Sequence, residues 1–247
     1  MSIQSEQDFV GLARIGRIVG LTLQEMEKHL EPGITTGELD AIGERFLEQH
    51  GARSAPRLFK NFPGANCISV NDQAVHGIPG PRPLRPGDVV KLDVTGELDG
   101  YVADSALTAT LPPVSERKRR IAQVAEAAFH RGCGAARAGR PTYEIGRAVE
   151  AEVRKGGFTV LRELHSHGVG RDIHEDPSIP MYYDRRAWQP LTDGLVITIE
   201  PIIAAGAHRV VADPDGWTLR TMDGSLSAHY EHTVVITSGK PVILTAV

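Results

Sequence analysis

Four acidic residues, Asp93, Asp104, Glu200 and Glu231, sit in or beside strand-like runs of Val, Ile, Leu and Thr. That placement restricts the fold more than any other feature of the chain. A carboxylate in such a run loses hydration unless it is exposed, paired or bound to a cation. Four acids converging without cations would repel one another and force protonation. A fifth element is the segment Leu161-Arg-Glu-Leu-His-Ser-His-Gly-Val-Gly-Arg-Asp-Ile-His174, which crowds three histidines among small residues. His167, between Ser166 and Gly168-Val-Gly170, has neighbours that allow close approach of backbone and ligand. A lone histidine is more often structural, but joined to four acids in apolar surroundings His167 reads as a metal ligand.

Five carboxylate and imidazole ligands hold two divalent ions if some carboxylates bridge. An oxygen-rich set of this kind tolerates Mn, Fe, Co or Zn, and sequence does not choose among them. Two ions ~3.5 to 4 Å apart bind a bridging hydroxide and polarise a carbonyl, which is hydrolytic chemistry.

The surrounding pattern is mixed α and β. Phe9, Leu12, Ile15, Ile18, Val19, Met26 and Leu30 predict a helix over 6–30, closed by Pro32-Gly33. A second helix, with Thr36 as the candidate cap, runs to Gly51. Residues 56–86 read as loop apart from a short strand at Cys67–Val70. Val89–Thr95 and Tyr101–Thr108 form a predicted hairpin around Gly96-Glu-Leu-Asp-Gly100. A turn centred between Leu98 and Asp99 sets Asp93 directly opposite Asp104; one centred a residue later sets them diagonally. Further helices are predicted over 115–136 and 142–155, and strands at 195–200 and 228–237, with a turn-rich excursion at 204–223. Helices, acid-bearing hairpin, helices, then acid-bearing strands amount to a coarse duplication of about 110 residues per half.

Composition excludes several classes. Net charge is -4 and the calculated pI about 6.2, a balance that does not favour a stable nucleic-acid partner. The basic run Arg117-Lys-Arg-Arg120 reads as a solvated first helical turn, with a ribosomal RNA contact as the lesser alternative. Two cysteines, Cys67 and Cys133, fit a reducing cytosol better than a disulfide scaffold. There is no secretory leader pattern and no apolar run of ~18 residues, so a cytoplasmic protein without a membrane span is expected.

Asn61-Phe-Pro63, Cys67-Ile-Ser-Val-Asn71, Val75-His-Gly-Ile-Pro79, Asp93-Val-Thr95, Ala103-Asp-Ser105, His167-Gly-Val-Gly170, Ile199-Glu-Pro201 and Ser225-Leu-Ser-Ala-His-Tyr-Glu-His-Thr233 together resemble the type I methionine aminopeptidases of the short bacterial form, over nearly the whole chain. The resemblance implies an α/β (α+β) pita-bread fold: pseudo-twofold duplicated halves, 1–112 and 113–247, with a curved antiparallel sheet flanked by helices, in one catalytic domain spanning 1–247. It also implies that two divalent ions (Co, Mn, Fe or Zn) are held by Asp93, Asp104, His167, Glu200 and Glu231, with Asp104 and Glu231 bridging. The reaction implied is removal of N-terminal methionine from nascent proteins when the second residue is small. His76 would serve proton transfer at the scissile amide, His174 the developing oxyanion, and Glu200 acid-base exchange with the attacking hydroxide. Phe59, Phe62, Cys67 and Trp217 match pocket positions, although singly the first three read as core residues. Transient ribosome association and a monomer are the expected assembly states.

His165-Ser166 and Ile173 depart from the commonest family wording. Two rivals stand beside this reading: an X-Pro or proline-dipeptide peptidase with the same metal framework, and a partner-binding protein that kept the scaffold without the chemistry.

Overall fold

In the computed structural model, which describes residues 1–247, the first half runs α1 (Glu6–Lys28), α2 (Thr36–Gln49), β1 (Arg53–Ser54), α3 (Ala55–Lys60), β2 (Cys67–Val70), β3 (Gln73–Val75), β4 (Val89–Leu98) and β5 (Tyr101–Thr110). Then follow α4 (Glu116–Ala135), α5 (Tyr143–Lys155), β6 (Thr159–Val160), β7 (His165–Gly168), β8 (Glu175–Pro180), β9 (Val196–Ile199) and β10 (Ile202–Ala204). The chain ends with β11 (Val210–Ala212), β12 (Leu219–Thr221), β13 (Ser227–His229), β14 (Glu231–Val235) and β15 (Val242–Ile243). A nine-stranded antiparallel sheet has the order β1-β4-β5-β14-β9-β7-β8, with β2 also on β4 and β15 also on β14. Helices α1 and α2 cover the β4–β5 end; α4 and α5 cover the β14–β9 end. Each end buries its own apolar cluster, one built on Leu12, Ile15, Leu92 and Val94, the other on Phe129, Ile145, Ile197 and Val234. This is the pseudo-symmetric mixed architecture that the resemblance implies.

Capping fixes the first helices. Ser5 Oγ accepts from Asp8 N at 3.2 Å to start α1. Thr35, not Thr36, caps α2: its hydroxyl accepts from Glu38 N at 3.1 Å while Glu38 Oε2 accepts from Thr35 N at 2.8 Å, a reciprocal capping box. The Thr36 hydroxyl is instead buried and accepts from Gly80 N at 2.9 Å, which ties α2 to the loop after β3. The stretch 56–86 also holds more structure than its prolines suggest, since Pro56 falls in the first turn of α3, where its missing N–H costs nothing.

The hairpin takes the later of the two registers. Asp99 (φ 52°) and Gly100 (φ 79°) both occupy the left-handed region, so they form the two-residue turn and Leu98 pairs with Tyr101. Asp104 then lies opposite Thr95, and Asp93 opposite Ala106, so the two acids are diagonal neighbours on one face.

The strands expected at 195–200 and 228–237 are one antiparallel ribbon with an interruption. Ile199 pairs with His232 in the large sheet and Ile202 with His229 in a small sheet of β13, β10 and β6. Both pairs keep the same register, which sets Glu200 against Glu231 at the break. Pro201 lacks the N–H that would continue the ladder. The excursion at 204–223 is likewise more regular than expected: β11 and β12 form a hairpin, and β12 pairs with β3.

Lys91 is buried on β4 and donates from Nζ to Asn71 O at 2.8 Å, pinning the turn between β2 and β3. Burial pushes its pKa down from 10.5 to about 7, against the opposing pull of Asp72. Between those values the unfolded chain binds the proton that the folded chain has lost, so stability rises with pH across that window. In urea titrations of metal-free protein from pH 7.5 to 9.5, Lys91→Met should flatten this rise. The comparison separates the lysine from Cys67, whose raised thiol pKa acts in the opposite sense; an identical slope in the variant would disprove the assignment.

Candidate metal centre

Three neighbouring strands build the floor of the site. Asp93 on β4 and Glu231 on β14 both pair with Ala106 on β5, whose methyl leaves the space between them open. Asp104 is two residues along β5 on the same face. Its backbone is locked to β14 by Thr233, whose Oγ1 accepts from Asp104 N at 2.9 Å and donates to Asp104 O at 2.8 Å. Ser105 Oγ donates to Glu231 O at 2.6 Å. Hydroxyls thus position the acid-bearing backbone.

Glu200 follows β9 at the Pro201 break. Its N–H donates to Ser166 Oγ at 2.9 Å, and its Oε1 accepts from Thr198 Oγ1 at 2.8 Å. His167 on β7 donates from its backbone N to Thr198 Oγ1 at 3.1 Å. Its Nδ1 lies 2.9 Å from Gly168 O, and its Nε2 lies 3.3 Å from Glu200 Oε1. The carbonyl requires a proton on Nδ1, so Nε2 presents a lone pair to the carboxylates, the arrangement that metal-bound imidazoles use. Burial lowers the pKa of His167 to about 3, which keeps the ring neutral.

The carboxylates are shifted the other way. Burial pushes Asp93, Glu200 and Glu231 well above the ordinary carboxylate range, and the neighbouring Asp104 charge adds to each. Asp104 is raised by burial to about 7, with the Thr95 hydroxyl opposing. Asp104 Oδ1 and Glu231 Oε1 have no hydrogen-bond partner although buried. Unpartnered buried carboxylate oxygens facing a lone-pair-bearing imidazole fit a divalent cation and fit little else. Two sets of close ligand atoms, Asp104–His167–Glu231 and Glu200–His229–Glu231, share Glu231, which matches a two-ion centre.

A cleft of about 690 Å³ opens over this floor. His76, with φ 57°, enters it directly after β3. The adjoining Gly77 passes so close to β2 that a Cβ would lie 2.3 Å from Ile68 O. His174 stands at the exposed rim with its ring 4.5 Å from that of His167, edge to face. Burial lowers His76 to about 4 and lowers His174 as well, so both rings are neutral at pH 7.

Phe62, Cys67 and Trp217 line the cleft, and Trp217 meets Phe62 edge-on at 5.2 Å. Asp215 holds this wall by accepting from Trp217 N and Thr218 N, both at 2.8 Å. Phe59 is not part of the lining; it packs from α3 against the first apolar cluster, and Pro56 and Lys60 reach the cleft instead. Of the departures, Ile173 is a buried part of the wall. His165 sits at the rim, Nδ1 2.9 Å from Ser178 Oγ and Nε2 3.1 Å from Arg162 O. Sequence reasoning assigned no role to His229, which is buried beside Glu200 and Glu231; strand alternation from Glu231 was the available signal.

Residues 11–238 match metallopeptidase family M24. The chain is 44% identical over 247 residues to methionine aminopeptidase 2 of Bacillus subtilis (strain 168), covering 99% of each chain. Its structure superposes with a TM-score of 0.95 on a methionine aminopeptidase from Rickettsia prowazekii, 35% identical, and 0.94 on one from Thermotoga maritima, 31% identical, covering 100% of every chain compared.

Because burial keeps protons on these carboxylates, cation uptake at pH 7 should release them. Calorimetric titration of chelator-stripped protein with Zn(II) or Mn(II) should give enthalpies that change with the ionisation enthalpy of the buffer. Enthalpies independent of buffer would show that the acids are already ionised.

Proposed function

The chain belongs to metallopeptidase family M24, and on that premise we propose that it removes N-terminal methionine from peptides whose second residue is small, using two divalent cations. The observation that carries this reading is the convergence of Asp93, Asp104, Glu200 and Glu231 with His167 beneath a cleft that has an apolar, sulfur-bearing wall. Relatives named methionine aminopeptidases match the chain end to end.

In this assignment Asp93, Asp104, His167, Glu200 and Glu231 hold the cations. The bound ions supply Lewis-acid polarisation of the peptide carbonyl and a lowered pKa for water. The protein's own groups do the rest. Glu200, which already accepts from Thr198 Oγ1, is the acceptor for the proton that the attacking water gives up. His174, at the rim beside His167, faces the scissile carbonyl and stabilises charge developing on its oxygen. His76, neutral and fixed by the strand before it, hydrogen-bonds near the amide nitrogen and assists its protonation. Phe62, Cys67 and Trp217 enclose the methionine side chain, where thiol and ring faces offer a polarisable surface to a thioether.

Nascent chains are the proposed natural substrates, met in transient work near the ribosome. In that reading Arg119 and Arg120 of the basic turn opening α4 are exposed to solvent, whereas Arg117 and Lys118 are tied to Ala205 O and Gly87 O. No helix is long and apolar enough to cross a membrane.

Chelator-stripped protein given Mn(II) or Co(II) should release methionine from Met-Ala-Ser and leave Ala-Pro peptides intact. Preferential Ala-Pro cleavage would replace this reading with that of an X-Pro peptidase. His76→Ala should lower kcat by about 10²-fold or more while bound metal, measured by atomic absorption, is unchanged. Trp217→Ala should raise KM for methionyl peptides more than it lowers kcat, which steady-state kinetics will resolve.

A further inference from the structure

His229 is not one of the five residues assigned above, yet its ring is aimed into the same centre. The residue is 2% exposed, and neither Nδ1 nor Nε2 has a hydrogen-bond partner. Nε2 lies 3.2 Å from Glu231 Oε2 and 3.8 Å from Glu200 Oε2. A buried ring nitrogen normally has a hydrogen-bond partner, as His167 Nδ1 has in Gly168 O. His229 has no such anchor on its ring. Its backbone is held instead: N donates to Thr108 Oγ1 at 2.8 Å, and Thr108 Oγ1 donates to His229 O at 2.7 Å. Strand alternation and the ribbon register put His229, Glu231 and Glu200 on one face.

We propose that His229 is a sixth ligand of the metal centre, binding through Nε2 the cation held between Glu200 and Glu231. This rests on the metallopeptidase reading and deepens it. Each of the two ligand sets then carries one imidazole, His167 in the first and His229 in the second, with Glu231 common to both. A nitrogen ligand on each ion makes the centre less suited to Mg(II) or Ca(II) and better suited to Zn(II), Co(II) or Fe(II).

The experiment is zinc-edge X-ray absorption on stripped protein reloaded with two equivalents of Zn(II). The expected outcome is outer-shell imidazole scattering equal to one ring per zinc, and His229→Gln should halve it. The variant should also weaken the second zinc by about 10-fold or more in competition with a chromophoric chelator, although loss of an uncoordinated neighbour can do the same. The ring count is therefore decisive. Half a ring per zinc in the unaltered protein, unchanged in His229→Gln, would overturn the proposal and leave His229 as a partner of the Glu231 carboxylate. If circular dichroism shows that His229→Gln does not fold, the count in the unaltered protein decides alone. Two zincs bound with half a ring each would sink this inference only, whereas failure to bind zinc, manganese or cobalt would sink the metallopeptidase reading itself.

Discussion

Mutual repulsion among four clustered carboxylates, three of them buried and Asp93 half-buried, is the constraint on which the rest of the structure depends. Asp93, Asp104, Glu200 and Glu231 gather on one face of one sheet, and burial raises the pKa of each. Left to itself such a cluster destabilises the fold that contains it. The surrounding architecture can be read as the means of holding it in place. Two apolar clusters flank the sheet, and Thr233, Thr198, Ser105 and Ser166 place hydroxyls on the neighbouring backbone and on Glu200 Oε1. Short hydroxyls suit this work because they satisfy polar groups without adding charge.

The centre draws on both ends of the molecule. Asp93 and Asp104 come from the β4–β5 hairpin, while His167, Glu200 and Glu231 come from the strands of the second half, and β5 meets β14 at the seam. A cation bound there would hold the two ends together, and its binding energy would add to the stability of the seam. Pro201 occupies the position that bonds across the ribbon, so the Glu200 backbone faces the other way: its N–H goes to Ser166 and the carboxylate projects beside Thr198.

Much of this was legible in the sequence because it rests on short-range rules. Alternation and the Asp99-Gly100 turn revealed the hairpin, and apolar period marked four of the five helices. The four acids and the imidazole of the resemblance are brought together at one cleft. What escaped depended on tertiary context. Two hairpin registers were compatible with the pattern until the φ values of Asp99 and Gly100 chose between them. Thr35 and Thr36 are both acceptable caps locally; only Gly80, from a distant loop, claims the second. Phe59 and Phe62 look equivalent as aromatic residues, but the end of α3 at the left-handed Asn61 turns only the latter toward Trp217.

His229 shows where motif reading stops and geometry takes over. It lies inside a recognisable motif, two residues before a ligand, yet a family pattern assigns it nothing. Its significance comes from what surrounds the ring: two carboxylates, no carbonyl and no hydroxyl within bonding reach. A carboxylate cluster tolerates a neutral imidazole better than a fifth acid, because the ring adds a lone pair without adding repulsion. The substitution of an imidazole at such a position can therefore retune which ions the centre holds while leaving the sheet, the cleft and the methionine-facing wall as they are.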